Sequence, residues 1–575
     1  MKILPIFSCL LLGLIVLSCD LKAPSQPNIL FIYSDDHTFQ AVSAYKSFLS
    51  GVIETPNIDR LAAEGMIFEN AFCTNSICSP ARASILTGKY SNNNGVKSID
   101  VSFDGSQQTF TKLLQEAGYY TGIVGKWHLK SQPTGFDYYN VLNGQGSYFD
   151  PTMSESGMPW WIVPGGDPDT PFWRVENGKP GGRNPAGLKK LKGYVTDIIT
   201  DISLDFLKEL PKDKPFLLMY QHKAPHDFFQ YDPKHASLYE GVTIPEPSTL
   251  FDDYKNRGEA IKRTTQKMYL EYEQSSDESE QLLVDRRIVR ENRIMGDFTN
   301  LSELHRVLHA DKSHEFDYLL KTVDSERPEL ENNFSPQEVR KIAYQMYIKA
   351  YLRCVASIDE NVGRVLKYLD DEGLSENTIV IYTSDQGMFL GEHNLFDKRF
   401  MYDESLRIPV LIRYPKEIKP GSISKDFALN VDFAPTFLDY AGVEVPNDMD
   451  GESLRPILNG TTPENWRTDM YYRYWMHRGN FNIAGHYGIR SERFKLIFYY
   501  GQPLDAKGAY EESTPPEWEL FDLQNDPQEM NNVYNNPAYK EDIKTLKTKL
   551  LKLKGQYDDV DDKYPEMREV SKHYW

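Results

Sequence analysis

Short, continuous apolar runs recur along the chain, each closed by a polar cluster and followed by a segment with helical spacing. Residues 28–33 (NILFIY) read as a strand buried on both faces. Thr55-Pro56 then supplies a cap and a proline at the first position of a helix that ends at Gly65. The buried-strand signature returns at 66–72, 119–124, 216–220, 378–383 and 409–413, with amphipathic segments at 109–117 and 194–210 between them. Strands alternating with helices predict an α/β fold, a large sheet covered by helices on both faces. Ser335-Pro336-Gln337-Glu338 is a capping box with proline at the first helical position, and apolar spacing carries that helix to about Leu369.

Two stretches lack this regularity. Residues 144–193 are rich in Gly, Pro and Trp and are expected to be loop, while 240–333 are charged, without a clear apolar stripe, and read as a helical insertion. After Asp450-Gly451 the pattern changes to short strands at 470–474, 488–490, 494–499 and 518–522, then a Lys-rich amphipathic helix from about Tyr539. The expected division is a large domain over 25–460 and a small α+β domain over 461–575.

At the start, Lys2 followed by the apolar stretch 3–17 is too short to span a membrane and reads as an export signal over 1–19. Val16-Leu17-Ser18-Cys19 resembles a bacterial lipobox, which implies a lipidated Cys19 at the mature N-terminus; the other reading is ordinary cleavage near Ser18. Both place the protein outside the cytoplasm, periplasmic or on the cell surface, touching a membrane only through the lipid. With Cys9 removed and Cys19 lipidated, Cys73, Cys78 and Cys354 are too few for a disulfide framework in a chain of 575 residues. A cysteine is left for chemistry.

Composition narrows the function classes. Hydrophobic residues at 40% and charged residues at 26% are those of a globular protein and exclude a disordered chain or a polytopic membrane protein. Lys and Arg (64) against Asp and Glu (83) leave a net charge of −19, which repels nucleic acid at long range. An anionic ligand therefore needs a local cationic pocket. The 36 Tyr and 8 Trp add hydrogen-bonding aromatic surface of the kind that stacks on sugar rings, although much of it is needed for the core.

Such a pocket is expected beyond the carboxyl ends of the strands, where ligands bind in open α/β sheets. Asp35-Asp36-His37, Gly125-Lys126-Trp127-His128, His222 with His226, and Asp385-Gln386 all follow strand ends. Taken singly, an Asp-Asp pair is commonly a turn or a helix cap; the shared topological position is what argues for a site. Asp35, Asp36, Asp385 and the amide oxygen of Gln386 make an all-oxygen ligand set with three negative charges, suited to Ca2+ or Mg2+ and poor for Zn2+.

The most specific signal is Cys78-Ser79-Pro80-Ala81-Arg82, continuing Ala83-Ser84-Ile85-Leu86-Thr87-Gly88. Together with Asn28-Ile29-Leu30-Phe31-Ile32, Thr55-Pro56-Asn57-Ile58-Asp59-Arg60-Leu61, Ala224-Pro225-His226, Ser384-Asp385-Gln386-Gly387 and Leu520-Phe521-Asp522-Leu523, it resembles the type I sulfatases over about 27–532. That resemblance implies an alkaline-phosphatase-like fold with a small C-terminal sheet domain. It also implies a formylglycine made from Cys78 by a maturation enzyme, with Cys78 joining Asp35, Asp36, Asp385 and Gln386 around the metal. A serine would be left as a stable sulfate ester, whereas an aldehyde hydrate carries a second hydroxyl whose deprotonation expels sulfate. By the same resemblance Arg82 and Lys126 neutralise the diol and the sulfate, and Lys398 binds a sulfate oxygen. His128 then takes the proton that drives release, and His226 protonates the sugar oxygen. A phosphoester hydrolase of the same superfamily would carry a Ser or Thr nucleophile and two zinc ions with added His ligands. A non-catalytic glycan-binding lipoprotein could lose Lys126, His128 or His226, all of which are present.

Residues 387–409, with Leu390-Gly391-Glu392-His393 and Phe396-Asp397-Lys398-Arg399-Phe400, look like the bacterial N-acetylglucosamine-6-sulfatase subgroup. The resemblance implies that Asp397 and Arg399 grip ring hydroxyls of the terminal sugar and that His486 assists. The substrate it points to is a 6-sulfated N-acetylglucosamine or glucosamine at a non-reducing end, in heparan sulfate fragments or mucin-type glycans. An N-acetylgalactosamine 6-sulfate or a uronic acid 2-sulfate is the alternative.

Overall fold

The computed structural model describes residues 26–158, 160, 188–227, 229–268 and 336–575. The export signal with Cys9 and Cys19, much of the Gly/Pro/Trp-rich stretch and most of the expected insertion lie outside the described residues. Of that insertion, 240–268 is largely turn, with one short helix, Glu259–Arg263.

A ten-stranded mixed sheet organises the large domain. From edge to edge it runs Ser422–Ser424, Met66–Phe68, Val410–Arg413, Thr378–Ser384, Asn28–Ser34, Phe216–His222, Tyr120–Gly125, Tyr138–Leu142, Thr152–Glu155 and Leu188–Lys190. Its central strands pair in parallel, with Ser34 opposite both Ser384 and His222, so their carboxyl ends finish at one level. The strand Asn28–Ser34 is buried throughout because both faces are covered. Leu30 and Ile32 enter one core, beneath the helices Val195–Lys208 and Pro336–Asp371. Ile29, Phe31 and Tyr33 enter the other, shared with Cys78–Thr87, Phe110–Glu116 and Phe433–Ala441.

Two readings change. Residues 66–72 are two strands, because Glu69 and Asn70 turn the chain toward Ser424 and Lys425, and Ala71–Phe72 pairs instead with Ala428–Leu429. The stretch 144–193 is not all loop: Thr152–Glu155 and Leu188–Lys190 extend the sheet antiparallel. At an edge a strand needs no continuous apolar run, and the exposed lysines of the last one suit an unpaired border.

Beyond the large sheet, Asp469–Tyr474, His486–Ser491, Phe494–Tyr499 and Glu517–Asp522 form a four-stranded antiparallel sheet in chain order. The helix Lys540–Gln556 packs across it, and a second helix, Pro565–Tyr574, ends the chain. Tyr472 joins the two parts, its hydroxyl donating to the carbonyl of Arg399 at 2.6 Å. Among the described residues no helix is long and apolar enough to cross a membrane.

Candidate active site

The equal level of the strand ends brings distant residues into contact. Asp35 and Asp36 leave Asn28–Ser34 while Asp385 and Gln386 leave its neighbour, and the amide of Asp36 donates to Asp385 Oδ1 at 3.0 Å. Asp35, Asp36 and Asp385, all buried, each offer a carboxylate oxygen within 4.8 Å of the others. On the far side, Lys126 follows Gly125, whose φ of 107° and approach to the Gln221 carbonyl leave no room for a Cβ. The amide of Lys126 donates to that carbonyl at 2.9 Å, and its ammonium bonds Asp35 and the side-chain oxygen of Gln145.

Cys78 opens the helix Cys78–Thr87, and Arg82, one turn later, lies on the same face. Arg82 donates to Asp385 from Nε at 3.2 Å and from Nη2 at 3.1 Å, and to Gln221 Oε1 from Nη1 at 3.1 Å. Its Nη2 also lies 3.3 Å from Asp35 Oδ1. The Cys78 thiol, which stands where an aldehyde oxygen would sit after maturation, is 3.9 Å from Gln386 Nε2 and is pushed up to about 12 by burial. As a thiol it is no nucleophile at neutral pH. Ser79 Oγ donates to the carbonyl of His128 at 2.7 Å and so ties that residue to the helix start.

Burial opposes ionisation of Asp35, but Lys126, His226 and Arg82 outweigh it and hold the carboxyl well below the usual range. Asp385 shows the opposite: burial, with the charge of Asp35 beside it, pushes it well above. Burial and the nearby Lys126 keep His128 well below the usual imidazole range, so it stands neutral, with Nδ1 buried and unpartnered. His226 Nδ1 is 2.8 Å from Asp227 Oδ1, and its Nε2 is 3.8 Å from Asp36 Oδ2.

These residues suit a divalent metal. Gln386 turns its nitrogen toward Asp36 and leaves Oε1 buried without a hydrogen-bond partner. Amide oxygen and nitrogen exchange places by a flip, which would complete a four-residue oxygen set around three carboxylates.

The loop that carries Lys398 closes the site. Lys398 reaches Asp36, and Arg399 Nη1 lies 2.7 Å from Asp397 Oδ2 with its guanidinium 4.9 Å from the Phe481 ring centre. Asp397 and Arg399 hold φ of 66° and 92°, a left-handed backbone that non-glycine residues rarely adopt. His486 lies behind this pair, its ring beside the backbone of Arg399. It is buried under Phe400, Tyr472, Tyr474 and Tyr499, with Nδ1 2.8 Å from the Ala484 carbonyl and Nε2 unpartnered, and burial lowers it to about 4.

The residues singled out as metal-binding and catalytic thus gather at one end of the sheet, with Asp397 and Arg399 flanking Lys398 and His486 behind the Arg399 backbone. Sequence reasoning missed Gln145, Gln221 and Asp227. Gln145 lies in a Gly-Gln-Gly turn after a strand, the one local signal that could have marked it.

The sulfatase family model matches residues 27–443. The chain belongs to the sulfatase family. Within this sulfatase, 391–556 also match the family described as N-sulphoglucosamine sulphohydrolase, C-terminal. The chain is 41% identical to an N-acetylglucosamine-6-O-sulfatase of Bacteroides thetaiotaomicron over 93% of its own length and 88% of that protein. It is 25% identical to the human N-acetylglucosamine-6-sulfatase over 78% of this chain and 67% of that one. A solved structure of a protein with its substrate D-glucosamine-2-N,6-O-disulfate superposes with a TM-score of 0.75 at 41% identity, covering 93% of this sulfatase and 99% of that chain. The sulfatase is a sulfuric ester hydrolase of the alkaline-phosphatase-like fold, as its sequence implied.

Proposed function

We propose that this sulfatase removes the 6-O-sulfate from N-acetylglucosamine or glucosamine at a non-reducing end, with heparan sulfate fragments or mucin-type glycans as sources. The Asp397-Lys398-Arg399 triplet carries the reading: the lysine reaches the carboxylate cluster while an acid and a guanidinium flank it, a disposition fit for adjacent sugar hydroxyls. The 41% identical relative that bears this activity supports it. A panel of sulfated monosaccharides differing only in sulfate position and in the C2 substituent tests it. Preference for a galactosamine 6-sulfate or a uronic acid 2-sulfate would overturn it.

Asp35, Asp36, Asp385 and Gln386 would hold the metal, Ca2+ on the character of its ligands, next to position 78 in its formylglycine form. When bound, metal and aldehyde supply a hydrated carbonyl nucleophile beside a Lewis acid. The remaining roles fall to side chains already in place. Lys126, Arg82 and Lys398 neutralise sulfate oxygens in a dry site, where fixed charges act most strongly. His226 donates the proton that the departing sugar oxygen needs, and neutral His128 accepts the proton lost when sulfate is expelled. Maturation of Cys78 requires a formylglycine-generating enzyme as partner. The signal over 1–19 with Cys19 supports export as a lipoprotein, and the pattern break near 460 supports a catalytic domain over 25–460 with a small domain over 461–575.

A further inference from the structure

Lys223 follows the strand Phe216–His222 and is 4% exposed, yet its ammonium forms no ion pair with any described residue. Burying an ammonium without a carboxylate is costly, so its place calls for a reason. It rests 4.7 Å from the centre of the Tyr148 ring. The Tyr148 hydroxyl in turn donates to the carbonyl of His226, and the amide of His226 donates to the carbonyl of Lys223 at 3.1 Å. The three residues close a ring of contacts around the turn that presents the imidazole. Tyr148 is itself anchored: its carbonyl accepts from the amide of Val195 at 2.7 Å, at the start of the helix Val195–Lys208, and its ring stacks 6.1 Å from that of Tyr194.

We propose that Lys223 and Tyr148 are positioning residues for His226. Lys223 holds the Tyr148 ring, Tyr148 holds the peptide of His226, and Asp227 holds the ring rotation through Nδ1, which leaves Nε2 aimed at the site. The inference rests on the reading of His226 as proton donor to the leaving oxygen. A shift of a fraction of an ångström at that imidazole impairs proton delivery while leaving the sulfate-accepting side of the site intact.

The leaving group separates these effects, because a sugar alkoxide needs a proton to depart and 4-nitrophenolate does not. Lys223→Met, Lys223→Arg, Tyr148→Phe and His226→Gln are made in the full, matured enzyme, and kcat is measured on glucosamine 6-sulfate and on 4-nitrophenyl sulfate. Lys223→Met and Tyr148→Phe are expected to lose about tenfold or more on the sugar ester and less than about twofold on the aryl ester, with partial recovery in Lys223→Arg. Parallel loss on both esters, or loss on neither, overturns the proposal. If Lys223→Met does not fold, Tyr148→Phe, which removes one oxygen, decides by the same ratio. His226→Gln tests the underlying reading separately: a fall that is not larger on the sugar ester than on the aryl ester refutes His226 as proton donor. A selective fall there, with none in Lys223→Met or Tyr148→Phe, refutes only the positioning role.

Discussion

Lys398 sets its ammonium on both carboxylate oxygens of Asp36, at 2.6 and 2.5 Å, although 362 positions separate the two residues. Burial would discharge this lysine, but Asp36 and the other acids nearby hold it well above its ordinary value, so it is cationic at neutral pH. Lys398→Met should lower kcat/KM by about 10²-fold or more, in keeping with the loss of one fixed charge at a developing anion. Steady-state kinetics on a 6-sulfated monosaccharide checks it; a change below about threefold would remove Lys398 from the sulfate-binding role.

Cys78 is buried at a helix start and its thiol is held protonated, so the proposed mechanism calls for the modified side chain. Cys78→Ala should abolish turnover and leave the melting temperature within a few degrees, since the change is small and local. Peptide mass spectrometry of active enzyme should find position 78 lighter by the exchange of sulfur for oxygen and the loss of two hydrogens. Unmodified cysteine in fully active protein would refute the maturation step.

Arg399 is held between Asp397 and Phe481 with Nε buried and unpartnered, which suits its proposed grip on the sugar. Arg399→Ala should cut kcat/KM by about tenfold to a hundredfold on the sugar ester through the lost charge-assisted hydrogen bonds. Metal content and aldehyde occupancy should not change. Wild-type behaviour on every sulfated monosaccharide would leave the sulfatase standing and sink its sugar assignment.

Chelation should stop turnover, and Ca2+ added back should restore it and raise the melting temperature, because a ligand bound only by the folded state stabilises it. Asp385 is pushed upward by burial and by Asp35, so protons compete with the cation there and the thermal gain should shrink as the pH falls. Full activity after exhaustive chelation would rule out the metal.

His222 and His486 are buried outside the carboxylate cluster, and burial lowers them to about 3 and about 4. An unfolded imidazole titrates near 6.5, so between that pH and about 4 the unfolded chain binds more protons than the folded one. Each group's contribution is complete above about pH 6.5 and is lost on acidification, down to about pH 4 for His486 and about pH 3 for His222, a few kcal/mol at most. Urea unfolding at stepped pH should show this slope, and His486→Gln should make it shallower. Parallel curves for wild type and variant would contradict it.

Much of the site was legible because chemistry and position coincide locally. A buried strand shows as an apolar run and the polar cluster after it marks its end, so Asp35, Asp36, Lys126, His226 and Asp385 could be placed together before any contact was seen. The helix from Ser335 was legible for the same reason, and it spans Pro336–Asp371. Elements at the sheet edge were not: Thr152–Glu155 buries only two residues and Leu188–Lys190 none, so no continuous apolar run announces them.

The amino-acid order alone determined the central strands, the long helix and the family, because periodicity, capping and a short motif are properties of neighbours in the chain. Tertiary structure decided which side chains touch: Lys398 on Asp36, Lys223 on Tyr148, Tyr148 on His226, and His486 beneath four aromatic rings. Such pairs depend on strand register and on the packing of loops hundreds of residues apart, and free energies of that kind leave no trace in a local pattern.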